Sequence, residues 1–213
     1  MVKVKFCGFT CEEDLSLACE LKPDYVGFIV GIPSSPRNLE VERAGKLMSQ
    51  VPGGIGRVCV TRMEFPRLLE AVRVLRPDYI QIPPIFSPEQ LRRLREKAGI
   101  IMVFSVPLGR VSAAPILEAI ETHASLCDMV LLDTHGPTGG GTGLVHDWGI
   151  SREIRRNVKL PFFLAGGLNP ENVAKAIQMV EPDGVDVSTG IESMPGRKDP
   201  EKMKRFLEAV KNA

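Results

Sequence analysis

Eight short apolar runs alternate along the chain with eight longer stretches in which apolar residues recur at helical spacing. Short runs rich in β-branched residues are typical of buried parallel strands. The predicted strands are Val2–Cys7, Tyr25–Val30, Arg57–Val60, Tyr79–Ile82, Ile100–Ser105, Met129–Asp133, Pro161–Leu164 and Gly184–Ser188. The predicted helices are Glu12–Leu21, Val41–Val51, Pro66–Leu75, Pro88–Lys97, Ala114–Ser125, Asp147–Arg156, Pro170–Val180 and Pro200–Val210.

Eight strand–helix units in 213 residues give roughly 27 residues a unit, which suits a compact barrel. Three predicted helices open with a capping residue and a proline, at Ser87-Pro88, Asn169-Pro170 and Asp199-Pro200. A doubly wound open sheet alternates in the same way, but no G-x-G-x-x-G follows the first strand. The sequence therefore predicts an α/β fold: one (β/α)8 TIM barrel with a parallel eight-stranded core, formed as a single domain by residues 1–213.

The charge and cysteine content exclude several classes of protein. A net charge of +1 gives no field that would attract nucleic acid or a membrane surface. The N-terminal segment has no apolar region typical of a signal peptide, and no apolar run reaches the length of a membrane span. The five cysteines are odd in number and lack metal-ligand spacing, as do the three histidines, so we expect reduced thiols, no metal and a cytoplasmic protein.

Two strand ends carry side chains that could transfer protons. In such a barrel the active site lies at the carboxyl ends of the strands. Cys7 ends the first predicted strand, where a thiolate could act as a base, although a small buried residue is the alternative. Asp133 ends the sixth, where a carboxylate is costly unless it is solvated, paired or used. A helix-capping or loop-anchoring role for Asp133 is equally compatible with the sequence.

Small residues follow the last two strands. Gly166 and Gly167 follow the seventh strand, and Ser188, Thr189 and Gly190 follow the eighth. Glycines let backbone amides approach an anion closely, and these two loops are the usual phosphate site of the barrel. Two such loops in these positions predict that the chain binds a small phosphorylated molecule.

Two further loops are candidates for the same face of the barrel. Arg37 follows the second strand and could hold a substrate carboxylate through its planar guanidinium, although an exposed loop arginine often has no function. The glycine-rich segment Gly136–Gly143 could be a flap over the site or a long turn, and we favour the flap.

Taken together, these strand ends resemble the phosphoribosylanthranilate isomerase family of tryptophan biosynthesis. The matching motifs are VKFCGFT at 4–10, VGFI at 26–29, SPR at 35–37, LLDT at 131–134, GGTG at 140–143, DW at 147–148, LAGGLNPENV at 164–173, GVDVSTGIE at 184–192 and PGRKDP at 195–200. The resemblance spans almost the whole chain, and the last third is its strongest part.

The resemblance implies a function and a role for each candidate residue. The family rearranges N-(5'-phosphoribosyl)anthranilate to 1-(2-carboxyphenylamino)-1-deoxyribulose 5-phosphate without a metal or organic cofactor, and its members are monomers or dimers. Cys7 stands at the position of its general base and Asp133 at that of its general acid. Arg37 stands where the family holds the anthranilate end. The loops at 166–167 and 188–190 stand at its phosphate site.

Three positions depart from the pattern of the family. Pro83 replaces a histidine after the fourth strand, and Leu144 replaces a common lysine. The third strand of the family runs into a phenylalanine–valine–asparagine segment, and here the segment is Cys59-Val60-Thr61-Arg62. These changes keep two alternatives open: a non-catalytic binder of a phosphorylated ligand, and an isomerase of a related phosphoribosyl amine. A histidine-pathway isomerase would use paired aspartates, so Cys7 argues against that variant.

Overall fold

The computed structural model describes residues 1–109, 112–135 and 144–213. Within these ranges, eight parallel strands are paired in the ring order β1-β8-β7-β6-β5-β4-β3-β2, and a β1–β2 pairing closes the barrel. The strands are β1 Lys3–Cys7, β2 Tyr25–Val30, β3 Gly56–Thr61, β4 Tyr79–Ile82, β5 Gly99–Pro107, β6 Met129–His135, β7 Phe162–Leu164 and β8 Gly184–Val187. The predicted (β/α)8 TIM barrel is confirmed.

Eight α-helices of the described ranges follow the strands one by one. They are α1 Glu12–Glu20, α2 Val41–Met48, α3 Phe65–Leu75, α4 Pro88–Arg95, α5 Ala114–His123, α6 Trp148–Asn157, α7 Val173–Val180 and α8 Pro200–Lys211. Two predicted caps are present. Ser87 forms a capping box with Gln90, and the Asp199 carboxylate accepts from two amides of the first turn of α8.

The predicted start of the seventh helix at Pro170 is wrong, because α7 begins at Val173. The Asn169 side chain accepts hydrogen bonds from the backbone amides of Glu171 and Asn172. An asparagine that bonds its own backbone in this way favours a turn over a helix. Asn169 therefore caps a turn that comes before the helix.

The interior of the barrel is filled from its amino-terminal end. Tyr25, Tyr79 and Phe163 meet edge to face there, with ring centroids 5.7 Å apart in each contact made by Tyr25. This small cluster is separate from the main core, which lies between the strands and the helices. The aromatic rings thus fill the amino end of the interior, and the residues at the carboxyl ends of the strands line an open cavity. No helix in the described ranges is long and apolar enough to span a membrane.

Candidate active site

A cavity of about 390 Å³ opens at the carboxyl ends of the strands, a size typical of small-molecule sites. Its lining includes all eight residues that the sequence singled out: Cys7, Arg37, Asp133, Gly166, Gly167, Ser188, Thr189 and Gly190. These residues come from the ends of five strands and the loops that follow them. The fold thus brings together groups up to 183 positions apart in the sequence.

Cys7 lies at the wall of the cavity beside a buried ammonium group. The side chains of Cys7 and Lys5 both lie against Gly27 of β2, where a β-carbon would come within 2.8 Å of the sulfur and 3.1 Å of Lys5 Nζ. Burial raises the pKa of the Cys7 thiol, and the neighbouring Lys5 opposes that rise. The thiol therefore keeps its proton when the cavity is empty, and Lys5 is the charge that favours the thiolate.

The Lys5 ammonium group is held in place by the Asp186 carboxylate. Lys5 Nζ donates to Asp186 Oδ1 at 2.8 Å, and the Lys5 side chain is fully buried. Burial lowers the pKa of Lys5, but Asp186 and Cys7 outweigh that effect, so the amine stays charged. Sequence reasoning missed this pair. Charged residues inside two apolar runs were the available signal.

Asp133 lies near the carboxyl end of β6 and is partly buried in the cavity wall. Burial raises the pKa of its carboxyl to about 6, and the nearby Asp186 carboxylate adds to the rise. A carboxyl of this kind is protonated far more often at neutral pH than an ordinary aspartate. It can therefore serve as a proton donor where an ordinary aspartate could not.

The loops after β7 and β8 form the wall between Asp133 on β6 and Cys7 on β1. Gly166 has φ of +89°, and a β-carbon there would come within 2.6 Å of the Thr134 backbone nitrogen, so only glycine fits. The Ser188 hydroxyl oxygen is buried and has no hydrogen-bond partner among the described residues. An unpaired buried hydroxyl is costly, and a bound oxyanion would satisfy it.

Arg37 differs from the exposed loop residue that its sequence position suggested. It is 5% exposed. Its Nε and Nη2 donate to the two carboxylate oxygens of Glu192 at 2.7 and 2.6 Å, and Nη2 lies 3.4 Å from Thr189 Oγ1. Glu192 therefore fixes one edge of the guanidinium, and the remaining Nη1 edge is the part that can meet a ligand.

Lys198 connects this ion pair to the strand ends. Its ammonium group pairs with Glu192 Oε1 at 2.9 Å and donates to the backbone oxygens of Cys7 at 2.6 Å and Ser188 at 3.2 Å. One buried lysine thus ties the end of β1 to the loop after β8. Glu192 and Lys198 were not singled out in the sequence, because the contacts that give them a role, to Arg37 and to the end of β1, join positions far apart along the chain.

A polar network supports the strand that carries Asp133. His146 Nδ1 lies 2.8 Å from Thr134 Oγ1, and His146 Nε2 lies 2.5 Å from Ser151 Oγ. Burial lowers the pKa of His146 to about 4, so the ring is neutral at physiological pH. The network holds the residue next to Asp133 without adding a charge. The segment Gly136–Gly143, expected to form a flap, lies outside the described residues.

The wall at β3 and β4 carries the residues that depart from the family pattern. Thr61, Arg62 and Pro83 all line the cavity, whereas Leu144 is an exposed residue that does not. Gln81 also lines it, and its buried Oε1 has no partner among the described residues. Within those residues, no group of three or more His, Cys, Asp or Glu side chains could hold a metal ion.

Comparison with known proteins places the chain beside one enzyme family. Residues 4–209 match the family model described as N-(5'-phosphoribosyl)anthranilate (PRA) isomerase. N-(5'-phosphoribosyl)anthranilate isomerase 1 of Methanosarcina mazei is 38% identical over 225 residues, which cover 99% of this chain and 95% of that protein.

Two similar solved structures add a ligand and an assembly. A phosphoribosyl anthranilate isomerase in complex with reduced 1-(o-carboxyphenylamino)-1-deoxyribulose 5-phosphate matches with a TM-score of 0.83 and 30% identity, over 100% of both chains. Monomers generated from the dimeric enzyme of Thermotoga maritima match with a TM-score of 0.83 and 31% identity, again over 100% of both chains.

Proposed function

The chain belongs to the N-(5'-phosphoribosyl)anthranilate isomerase family, and we propose that it catalyses the Amadori rearrangement of N-(5'-phosphoribosyl)anthranilate. The product is 1-(2-carboxyphenylamino)-1-deoxyribulose 5-phosphate, an intermediate of tryptophan biosynthesis. The observation that carries the proposal is that the Cys7 thiol, the Asp133 carboxyl and the glycine loops after β7 and β8 line one cavity. The rearrangement needs one acid and one base and no net redox change.

Asp133 is the general acid in this proposal. Its proton passes to the ribose ring oxygen, the C1'–oxygen bond breaks, and the nitrogen lone pair forms an iminium at C1'. The raised pKa of Asp133 supports the role, since a donor is most effective when its pKa lies near the working pH. Such a group typically contributes about 10²–10⁴ to the rate.

Cys7 is the general base. Its thiolate removes the proton from C2', the electron pair neutralises the iminium, and the resulting enolamine becomes the ketone. Lys5, fixed by Asp186, stabilises the thiolate. Because burial raises the pKa of Cys7, the thiolate form depends on this ammonium group and on the bound substrate.

The glycine loops at 166–167 and 188–190 bind the substrate phosphate. Their backbone amides approach the oxyanion closely, and the unpaired Ser188 hydroxyl donates to a phosphate oxygen. Binding energy from this non-reacting group positions C2' and the ring oxygen against the two proton-transferring residues. Arg37 contributes its Nη1 edge to the anthranilate end, with its other edge fixed by Glu192.

The proposal also covers the domain organisation, location, cofactor need and oligomeric state of the protein. We propose a single-domain cytoplasmic enzyme that binds a small phosphorylated substrate, needs no cofactor, and associates with neither nucleic acid nor membrane. It acts as a monomer or a homodimer. The dimeric Thermotoga maritima relative supports the second of these forms.

The test is to mix the purified protein with freshly made N-(5'-phosphoribosyl)anthranilate and to follow the loss of its fluorescence. We expect rapid loss with the wild type and a fall in kcat of at least about 10²-fold in Cys7→Ser and in Asp133→Asn. Cys19→Ser and Asp147→Asn make the same chemical changes outside the cavity and serve as controls.

Each outcome of this test decides between the candidate functions. Near-wild-type activity in Cys7→Ser or Asp133→Asn would remove that residue from the mechanism. Tight binding of the reduced product analogue without turnover by the wild type would instead make the chain a binding protein for a phosphorylated ligand.

A further inference from the structure

The phosphate loops and the divergent strand ends lie on opposite sides of the cavity. In the closed ring, β3 lies four strands from β7, and β4 lies four strands from β8. A ligand whose phosphate binds at 166–167 and 188–190 and extends across the barrel mouth therefore ends against β3 and β4. Arg62 and Pro83 stand at this wall, each two positions beyond the paired residues Val60 and Gln81.

Arg62 is the cation at this wall. Of the described residues that line the cavity, two carry a positive charge, Arg37 and Arg62. Arg37 is buried and bonded at two atoms to Glu192. The Arg62 side chain is exposed and makes no ion pair with any described residue. Its five donors are therefore available to a ligand in the planar arrangement that matches a carboxylate.

The other side chains on this side of the cavity are uncharged. Ile29, Ile32, Val60, Pro83 and Val103 supply its apolar surface, and Thr61, Gln81 and Ser105 are polar. An apolar surface of this kind suits an aromatic ring, and no carboxylate on this side competes for the guanidinium. A ring that carries a carboxylate would thus meet an apolar surface for its carbon atoms and a cation for its charge.

The Arg62 charge also acts on Asp133, which lies in the cavity wall. Burial raises the pKa of Asp133 to about 6, and Arg62 is one of the charges that oppose the rise. The guanidinium therefore acts on the interior of the cavity and not only on the solvent outside it. A ligand carboxylate drawn into the cavity would be subject to the same field.

We propose that Arg62 binds the carboxylate of the anthranilate ring and so determines specificity for a carboxylated arylamine. The inference rests on the proposed isomerase function and deepens it. Arg37, whose charge is shared with Glu192, contacts the ligand through one edge, and Arg62 supplies the charge that is not already neutralised.

The experiment compares two stable ligands in calorimetric titrations. One is reduced 1-(o-carboxyphenylamino)-1-deoxyribulose 5-phosphate, and the other is its counterpart without the ring carboxylate. We expect Arg62→Gln to weaken the carboxylated ligand about 10- to 100-fold, as for a lost charge-assisted contact. The ligand without the carboxylate should bind wild type and Arg62→Gln within about twofold of each other. Arg92→Gln removes the same charge from an exposed position on α4 and should bind both ligands like the wild type.

The outcomes separate this inference from the function on which it rests. Equal loss of both ligands in Arg62→Gln, or loss of neither, would overturn the role of Arg62 while wild-type turnover still supported the isomerase. No binding of either ligand by the wild type, with no turnover, would overturn both proposals. In the proposed case Arg62→Gln also raises KM far more than it lowers kcat, because the contact is present before and during the reaction.

Discussion

Cys7 and Asp133 owe their chemistry to the same barrel interior. Burial raises the pKa of the Cys7 thiol and raises that of the Asp133 carboxyl to about 6. In the proposed mechanism the thiol must lose its proton and the carboxyl must keep it. The Cys7 thiol, which must lose its proton, therefore binds it more tightly than the Asp133 carboxyl does. The reactive form, with a Cys7 thiolate and a protonated Asp133, is thus a minority of the enzyme at every pH.

This arrangement predicts the acid limb of the pH profile. The share of the reactive form is constant between the two pKa values and falls below about pH 6, where Asp133 is protonated and Cys7 remains a thiol. We expect kcat/KM to be level above that pH and to decline below it. The substrate phosphate also titrates near pH 6, so the residue must be observed directly.

Infrared difference spectra between the wild type and Asp133→Asn show whether the decline of kcat/KM at low pH comes from Asp133. The protonated carboxyl band that is missing from the variant should titrate with a midpoint of about 6. A midpoint near 4, the ordinary value for aspartate, would contradict the proposed environment of Asp133.

At the scale of elements, the hairpin formed by Glu192–Met194 and Arg197–Lys198 holds the site together. Glu192 pairs with Arg37 and Lys198, and the backbone amide of Lys198 donates to Asp14 on α1 at 2.7 Å. The hairpin thus joins the first helix, the loop after β2 and the loop after β8. Its two short strands matter because of these side chains and not because of their backbone pairing.

Glu192→Gln should destabilise the protein sharply. The change leaves two buried cations, Arg37 and Lys198, without their counter-charge. Removing one partner from a buried ionic group typically costs about 3–5 kcal/mol of unfolding free energy. Urea denaturation measures it, and Glu201→Gln is the matched control, since its pair with Lys204 is exposed to water and contributes little to stability. A loss as small as that of the control would contradict the structural role of Glu192.

The order of strands and helices could be predicted from the sequence, because the period of apolar residues is a local property. The rule that barrel active sites lie at the carboxyl ends of the strands then pointed to Cys7 and Asp133 as candidate site residues. The pairs Lys5–Asp186 and Arg37–Glu192 could not be found in this way, because they join positions 181 and 155 residues apart. Only the closed ring brings such residues into contact.

At the scale of the whole molecule, the fold perturbs two titratable groups in opposite directions. The pKa of Asp133 is raised from 3.8 to about 6, and that of His146 is lowered from 6.5 to about 4, in both cases chiefly by burial. Folded Asp133 binds its proton more tightly than the unfolded chain does, so its contribution to stability improves as the pH falls from about 6. The contribution of His146 is complete above pH 6.5 and is lost as the pH falls toward 4.

The two effects act over the same pH range and therefore partly cancel in the wild type. Asp133→Asn removes one of them. At pH 7 the variant should have an unfolding free energy greater than that of the wild type by about 3 kcal/mol, because it no longer buries a carboxylate. The difference should shrink as the pH falls and vanish near about pH 3, below the ordinary aspartate pKa, where the wild-type carboxyl is protonated in both states. Urea denaturation at a series of pH values measures it.

Asp199→Asn provides the reference for this comparison. Asp199 caps α8 by accepting from the Glu201 and Lys202 amides, and asparagine is an equally good cap, so its difference from the wild type should vary little over the same range. If Asp133→Asn gave the same flat difference, burial of the Asp133 carboxylate would not be a cost of the fold. The unfolding free energy that Asp133→Asn gains at neutral pH is the stability that the wild-type barrel gives up to keep a proton donor in the wall of its cavity.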